Sequence, residues 1–95
     1  MRRRKDKIDS NQHSIVEALR KIPGVTVEVG KDDVLVGRAG VTYWFEIKTP
    51  DQIKKDGSFK AGAIKESQEK LLETWCGHYR IVWSLEQILW DINIR

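Results

Sequence analysis

The sequence predicts a single α/β domain with the element order α-β-β-β-α-β-α. Three segments have apolar residues at helical three-and-four spacing, and the segments around them alternate apolar and polar residues as strands do. Glycine- and proline-containing breaks separate these segments. The chain of 95 residues is long enough for one compact domain and too short for two.

The first predicted helix begins at an N-cap at Asp9 or Ser10 and ends near Ile22, where Pro23-Gly24 stops it. Its buried stripe is expected to comprise Ile15, Val16, Leu19 and Ile22. Gln12 lies four residues before Val16, on the same inward face, whereas Glu17 points to solvent.

Three strands are predicted next, over residues 25–29, 34–36 and 41–48, with a hairpin turn at 37–40. The third is the most informative, because its odd positions are apolar or aromatic. Successive side chains of a strand face opposite sides. Glu46 and Lys48 are therefore expected on one face, while Tyr43, Phe45 and Ile47 enter the core.

Residues 51–63 are polar and predict a mobile loop that carries Lys54, Lys55 and Lys60. A helix over 65–75 follows, and a buried strand over 79–83 comes after it. Ser84 and Gln87 predict a capping box that opens the last helix. The inward side of the second helix is expected to hold Gln68, Leu71, Leu72 and Trp75. Trp83 is expected in the core, and Trp75 and Trp90 either in the core or at a dimer contact.

The charge is unevenly distributed. Residues 1–7 hold five basic side chains and one acidic side chain, so the net charge of +3 belongs to this segment and the rest is slightly acidic. We divide the chain into a basic N-terminal arm, 1–7, and one domain, 8–95. The arm suits a phosphate backbone, although a solvated tail explains the charge nearly as well. No span-length apolar stretch or signal peptide is expected, and one cysteine, Cys76, favours a reducing, cytoplasmic compartment.

An acid beside one strand and Glu-x-Lys on the next predict a metal-dependent hydrolytic site. Asp33 and Glu46 would supply the hard oxygen ligands that Mg²⁺ or Mn²⁺ prefers, and the carbonyl of Ile47 would add another. Lys48 would orient the attacking water or stabilise charge on the phosphorane. By itself, the Glu-x-Lys spacing usually indicates only a solvated ion pair, which contributes about 0–1 kcal/mol to stability.

These residues and their flanking segments resemble the PD-(D/E)xK nuclease superfamily, in particular its virus-type replication-repair branch of small stand-alone phage proteins. The resemblance runs over nearly the whole chain. It is carried by residues 9–12, 15–20, 33–37, 45–48, 67–68, 75–77 and 81–86.

The resemblance implies a restriction-endonuclease-like core, with a mixed central sheet flanked by helices, and Mg²⁺-dependent cleavage of DNA, with Mn²⁺ as a substitute. It also implies a homodimer that cuts branched DNA such as four-way junctions, in the cytoplasm of a bacterial host if the chain is phage-derived. Asp33 and Glu46 match the metal-binding carboxylates, Lys48 the catalytic lysine and Gln68 the glutamine near it. Gln12 falls where the family often has Glu or Gln.

Several alternatives stay open. Asp32 replaces the proline of the family motif, so either Asp32 or Asp33 is the ligand; Asp33 is preferred because the apolar run starts after it. Gln68 either bonds a neighbouring backbone or assists Lys48, and Glu17 is the fallback for a carboxylate on the first helix. The alternative function is a weak or inactive DNA-binding module on the same fold, and a third is a small phage scaffold protein.

Overall fold

The structure is a computed structural model that describes the backbone of residues 3–31 and 33–94 and the side chains of 11–31 and 33–94. The predicted order α-β-β-β-α-β-α is confirmed. The helices are α1 (Arg3–Arg20), α2 (Glu66–Thr74) and α3 (Leu85–Asp91). The strands are β1 (Val25–Val29), β2 (Asp33–Arg38), β3 (Val41–Ile47) and β4 (Tyr79–Val82).

The four strands form one mixed sheet in the order β1-β2-β3-β4. β1 and β2 are antiparallel, as are β2 and β3, whereas β3 and β4 are parallel. A parallel pair needs a long crossover, and the segment containing α2 provides it. The molecule is thus an α/β domain with a mixed four-stranded sheet and three helices.

The β2–β3 turn fixes the register of the hairpin. Arg38 pairs with Val41, which leaves Ala39 and Gly40 as the two turn residues, at φ 53° and 81°. Positive φ at both central positions is the geometry of a type I′ turn, whose twist matches that of the flanking strands. The turn is therefore tighter than predicted, because Gly37 and Arg38 belong to β2.

One face of the sheet packs against α1 and α3 to form the core. Burial of these side chains contributes roughly 1.5–3 kcal/mol for each large aliphatic or aromatic residue. The buried cluster comprises Ile15, Val16, Leu19, Val25, Val27, Val34, Val36, Phe45, Val82, Ile88 and Ile92. The predicted stripe of α1 is confirmed, with Ile22 partly buried against this cluster.

Two predictions about the helices are wrong. Asp9 and Ser10 lie inside α1 and do not cap it, since the helix begins at Arg3 and no proline or glycine interrupts it before Arg20. On α2, Leu72 and Trp75 are about half exposed, at 48% and 51%. This short helix contacts the sheet mainly at β4, so only part of its apolar side reaches the strands.

The segment between β3 and α2 has more structure than the predicted loop. It contains a 3-10 helix (Pro50–Gln52) and a bridge between Ile53 and Phe59. Phe59 packs edge-on against Trp83, with ring centroids 5.4 Å apart, and so attaches the segment to the end of β4. Within this segment, Lys54, Lys55 and Lys60 are exposed.

Across the described residues, no helix combines the length and apolar character that crossing a bilayer requires.

Candidate active site

The two predicted carboxylates lie directly opposite each other. Asp33 opens β2, and its partner across the antiparallel ladder is Glu46, near the end of β3. Directly paired residues project from the same face of a sheet. This face is opposite to the one covered by α1 and α3, because the neighbouring residues Val34 and Phe45 enter the core.

The hairpin turn makes this pairing a close one. Arg38 and Val41 close a two-residue turn and are therefore a hydrogen-bonded pair, and pair types alternate along an antiparallel ladder. Asp33 and Glu46 are five pairs further on, which makes them a non-hydrogen-bonded pair, the type with Cα atoms only about 4.5 Å apart. The backbone agrees, since the Asp33 carbonyl accepts from the Gly30 N–H, on the β1 side, at 2.8 Å.

The Asp33 carboxylate is held between an indole and a glycine. Trp44 Nε1 donates a hydrogen bond to Asp33 Oδ2 at 2.8 Å. The other oxygen, Oδ1, lies so close to Gly30 that a Cβ at that position would approach it to 2.2 Å. A side chain at residue 30 would therefore require the Asp33 carboxylate to rotate away from its present position.

Glu46 is 6% exposed, a rare degree of burial for a carboxylate. Its Oε1 accepts a long hydrogen bond, 3.5 Å, from the Tyr79 hydroxyl of β4. Burial, followed by the negative charges of Glu46 and Asp33, raises the pKa of Tyr79 to about 12. Tyr79 thus keeps its proton at neutral pH and acts as a donor toward Glu46.

Lys48 follows β3 and stays in the ladder. Its N–H donates to the Val82 carbonyl at 2.8 Å, and its own carbonyl accepts from Asn11 Nδ2 of α1 at 2.9 Å. Two residues beyond Glu46, its side chain projects from the same face by strand alternation, and it is partly buried. Because the peptide bond is trans, the Ile47 carbonyl points away from Val82, toward the β2 side where Asp33 lies.

Gln12 lies near the site without a recorded contact to its carboxylates. It is partly buried and lines a cavity of about 290 Å³ together with Val16 and Gly30. Gly30 adjoins both this cavity and Asp33, since a Cβ at residue 30 would meet Asp33 Oδ1. Glu17 is exposed and pairs with His13 on the outer face of α1, which confirms its solvent orientation.

Gln68 has a helix-capping role. Its Oε1 accepts from the backbone N–H of Lys65 at 3.0 Å, at the start of α2. The side chain is 6% exposed and lies at the third position of the helix, where Gln commonly satisfies an N-terminal N–H. Of the two predicted roles, this geometry supports the backbone one, and a contact with Lys48 stays a prediction.

The sequence analysis did not assign Tyr79, Gly30 or Asn11 to the site. Tyr79 was interpreted only as a strand residue, because its proximity to Glu46 depends on the parallel register of β3 and β4. Trp44 lies on the Glu46 face by strand alternation, and its bond to Asp33 is a diagonal contact, since Trp44 pairs with Leu35, two residues after Asp33.

An open groove leads from solvent to the Asp33 carboxylate. Its volume is about 480 Å³, and its walls are mainly apolar. The lining residues are Glu28, Val29, Gly30, Asp33, Val34, Leu35, Trp44 and Trp75. A ligand can therefore reach Asp33 without a rearrangement of the sheet.

Two carboxylates and a carbonyl at one edge of a sheet fit a hard divalent cation such as Mg²⁺ or Mn²⁺, which prefers oxygen ligands. Within the described ranges, no group of three or more His, Cys, Asp or Glu side chains is placed to hold a metal. Asp32, the alternative ligand from the sequence, lies outside the described residues. Asp33 is the acid that the hairpin register sets against Glu46.

Comparisons of the chain with protein-family models, with curated proteins and with solved structures found no match.

Proposed function

We propose that the chain is a divalent-metal-dependent endonuclease that hydrolyses DNA phosphodiester bonds. The observation that supports this most is the direct pairing of Asp33 with Glu46 on one sheet face, with Lys48 directly after the end of β3 and two residues beyond Glu46. The restriction-endonuclease-like core and a preference for branched DNA such as four-way junctions are part of this proposal, and both rest on the resemblance of the motifs.

Each residue has a distinct task in this proposal. Asp33, Glu46 and the Ile47 carbonyl would hold the cation, which would supply Lewis acidity toward the phosphate and a lowered pKa of bound water. Lys48 stabilises the negative charge that develops on the phosphate oxygens. A fixed ammonium group is most effective in this role where water is partly excluded. Gln12 would add an amide oxygen from α1, through an intervening water.

The basic segment 1–7 and the lysines at 54, 55 and 60 are proposed to bind the DNA backbone. Each neutralised phosphate of duplex DNA contributes a slope of about −0.9 to the logarithmic dependence of affinity on salt. Changing Arg2, Arg3 and Arg4 to Gln removes charge without removing the first residues of α1. The slope is then expected to become shallower, and an unchanged slope excludes a role for these arginines in phosphate contacts.

The decisive experiment incubates labelled four-way junction, flap and duplex DNA with the protein in Mg²⁺, Mn²⁺ or EDTA. Cleavage is expected with either metal and not with EDTA, and it should fall by at least about 100-fold in Asp33→Asn, Glu46→Gln and Lys48→Ala. Glu28→Gln is the matched control, because Glu28 is an exposed carboxylate on the same face, paired with Leu35. Metal-independent cleavage, or full activity in Glu46→Gln, contradicts the proposal.

A DNA-binding module with weak or no catalysis is the second candidate. It is favoured by the hydrogen bonds that Asp33 Oδ2 and Glu46 Oε1 already accept from Trp44 and Tyr79. These bonds use part of the acceptor capacity that a cation needs. The same panel distinguishes this candidate, which binds DNA tightly, leaves it uncut in every metal and is unaffected by Glu46→Gln.

A homodimer is also proposed, since a C2 pair would present two sites to two strands. The exposed indole of Trp90, 63% accessible on α3, is the apolar side chain best suited to such a contact. Sedimentation at micromolar concentration should give twice the monomer mass for the wild type and the monomer mass for Trp90→Ser. A monomeric wild type removes the dimer from the proposal without affecting the site.

A further inference from the structure

Two aromatic side chains form a second row behind the carboxylates. On the sheet face opposite α1 and α3, Asp33 and Glu46 align with Ile81 across β2, β3 and β4, and Leu35, Trp44 and Tyr79 form the adjacent row. Trp44 and Tyr79 are direct partners in the parallel ladder, and their rings contact edge-to-face at 4.8 Å. Each of the two aromatic residues directs its polar atom at one carboxylate of the first row.

Trp44 is the better anchored of the two donors. Its indole ring also meets Trp75 of the α2 end edge-to-face at 5.1 Å, and its backbone N–H donates to His78 Nδ1 at 3.1 Å. An indole N–H can only donate, so Trp44 cannot itself bind a cation. What it can do is fix the rotation of the Asp33 carboxylate, through a 2.8 Å bond of good hydrogen-bond length.

Tyr79 donates a hydrogen bond to Glu46 in a similar way, but this bond is longer. The 3.5 Å distance between the Tyr79 hydroxyl and Glu46 Oε1 is at the outer limit of a hydrogen bond. Contacts of this kind often tighten when the site is occupied. Since a carboxylate offers about four lone-pair positions, one accepted hydrogen bond leaves room for a cation on the same group.

We infer that Trp44 and Tyr79 are positioning residues that hold Asp33 and Glu46, one each, in the orientation that binds a divalent cation. The inference rests on the proposed function and adds to it two residues that act on the ligands. Outer-shell partners of this kind typically change metal affinity by about 10–100-fold when removed. If Trp44 and Tyr79 served only for packing, replacing them would change the stability of the fold and leave the metal affinity unchanged.

The test measures Mn²⁺ affinity by calorimetry on the full chain without DNA, for Trp44→Phe and Tyr79→Phe. Both variants keep a ring and lose the donor. The matched controls are Trp90→Phe, an exposed indole of α3, and Tyr43→Phe, on the opposite face of β3. We expect the Mn²⁺ dissociation constant to rise about tenfold or more in Trp44→Phe, less in Tyr79→Phe, and not in the controls.

Cleavage kinetics give a second readout. In Trp44→Phe at fixed, subsaturating Mn²⁺, we expect a lower kcat with an unchanged KM for DNA, and recovery of kcat as Mn²⁺ is raised to saturation. In a variant that is fully folded without metal, a defect unrelated to metal binding would not be rescued in this way. If wild type binds Mn²⁺ and cuts DNA while Trp44→Phe matches it in affinity and kcat, the inference is overturned and the proposed function stands.

Resonances of the indole N–H group keep the inference testable if Trp44→Phe does not fold. In metal-free protein, Asp33→Asn should shift the Trp44 indole N–H resonance, and in the wild type Mg²⁺ should shift the same resonance. An indole that responds to neither change overturns the inference. A wild type that binds neither Mg²⁺ nor Mn²⁺ overturns the proposed function, and the inference with it.

Discussion

Gly30 lies against Oδ1 of Asp33, so closely that any side chain at residue 30 would collide with that carboxylate oxygen. The contact joins the end of β1 to the start of β2, where the Gly30 N–H also donates to the Asp33 carbonyl. The orientation of the Asp33 side chain thus depends on residue 30 having no side chain.

Gly30→Ala is expected to reduce metal-dependent cleavage by about 10–100-fold, because Asp33 must rotate away from a Cβ placed 2.2 Å from its Oδ1. Initial rates at fixed Mg²⁺ measure the effect. Gly57→Ala is the control for a general loss of stability, since its φ of +91° strains an alanine although nothing lies within 4 Å. Equal losses of activity in the two variants would contradict the role of Gly30.

Mg²⁺ should stabilise the folded chain, because a cation that binds only the native pair of carboxylates shifts unfolding by mass action. At ten times the dissociation constant the gain is about 1.4 kcal/mol, which corresponds to roughly 5–10 °C in Tm for a domain of this size. Thermal melts with and without Mg²⁺ measure the shift. Asp33→Asn should lose it and Glu28→Gln should keep it, and a shift retained in Asp33→Asn argues against Asp33 as a ligand.

Tyr79 should ionise at a pH well above the ordinary value for tyrosine. Its folded pKa of about 12 exceeds the ordinary value of 10.0 for tyrosine, so folding favours the protonated phenol. The associated stability is complete below pH 10 and is lost as pH rises toward 12. The difference in phenolate absorbance between wild type and Tyr79→Phe isolates this residue.

Glu46→Gln provides the control for that titration. Burial is the largest cause of the raised pKa of Tyr79, and the charge of Glu46 is the second. The variant should therefore lower the pKa of Tyr79 without returning it to 10. A phenol that titrates at the ordinary value in the wild type would show that the Tyr79–Glu46 contact is absent in solution.

Ser84→Ala is expected to destabilise the fold by about 1 kcal/mol, because Ser84 caps α3 and accepts from the Gln87 N–H. Weakening α3 also destabilises the core, because Ile88 of this helix and Ile92 at its end are both fully buried. Urea denaturation measures the change in the free energy of unfolding. Glu86→Gln, exposed on the first turn of the same helix, should change it by a few tenths of a kilocalorie per mole.

The sequence was most informative where structure is local. The β2–β3 hairpin and the shared face of Glu46 and Lys48 follow from strand alternation, and the capping box at Ser84 follows from four consecutive residues. The pairing of Asp33 with Glu46 was not predicted, because a turn over residues 37–40 would set Asp33 opposite Trp44, whereas the two-residue turn at Ala39 and Gly40 sets it opposite Glu46. The residues between 33 and 46 nevertheless encode the acidic part of the candidate site.

Features that depend on distant segments could not be predicted in the same way. The Tyr79–Glu46 contact joins residues 33 positions apart and requires the parallel register of β4. The exposure of Trp75 depends on where α2 docks, and the early start of α1 depends on charged residues that carry no apolar periodicity. Propensity and pattern do not determine how elements dock against each other.

The short hairpin has a consequence for the order in which the site assembles. Closing a two-residue turn brings two negative charges together early, from residues that are near neighbours in the chain, and entails little loop-closure entropy. Tyr79 joins them only when the crossover segment has folded and β4 has docked. β4, which carries the hydrogen-bond donor Tyr79, therefore completes the site after the hairpin has formed. Variants that weaken the docking of β4 should reduce catalysis before they disturb the pairing of Asp33 with Glu46.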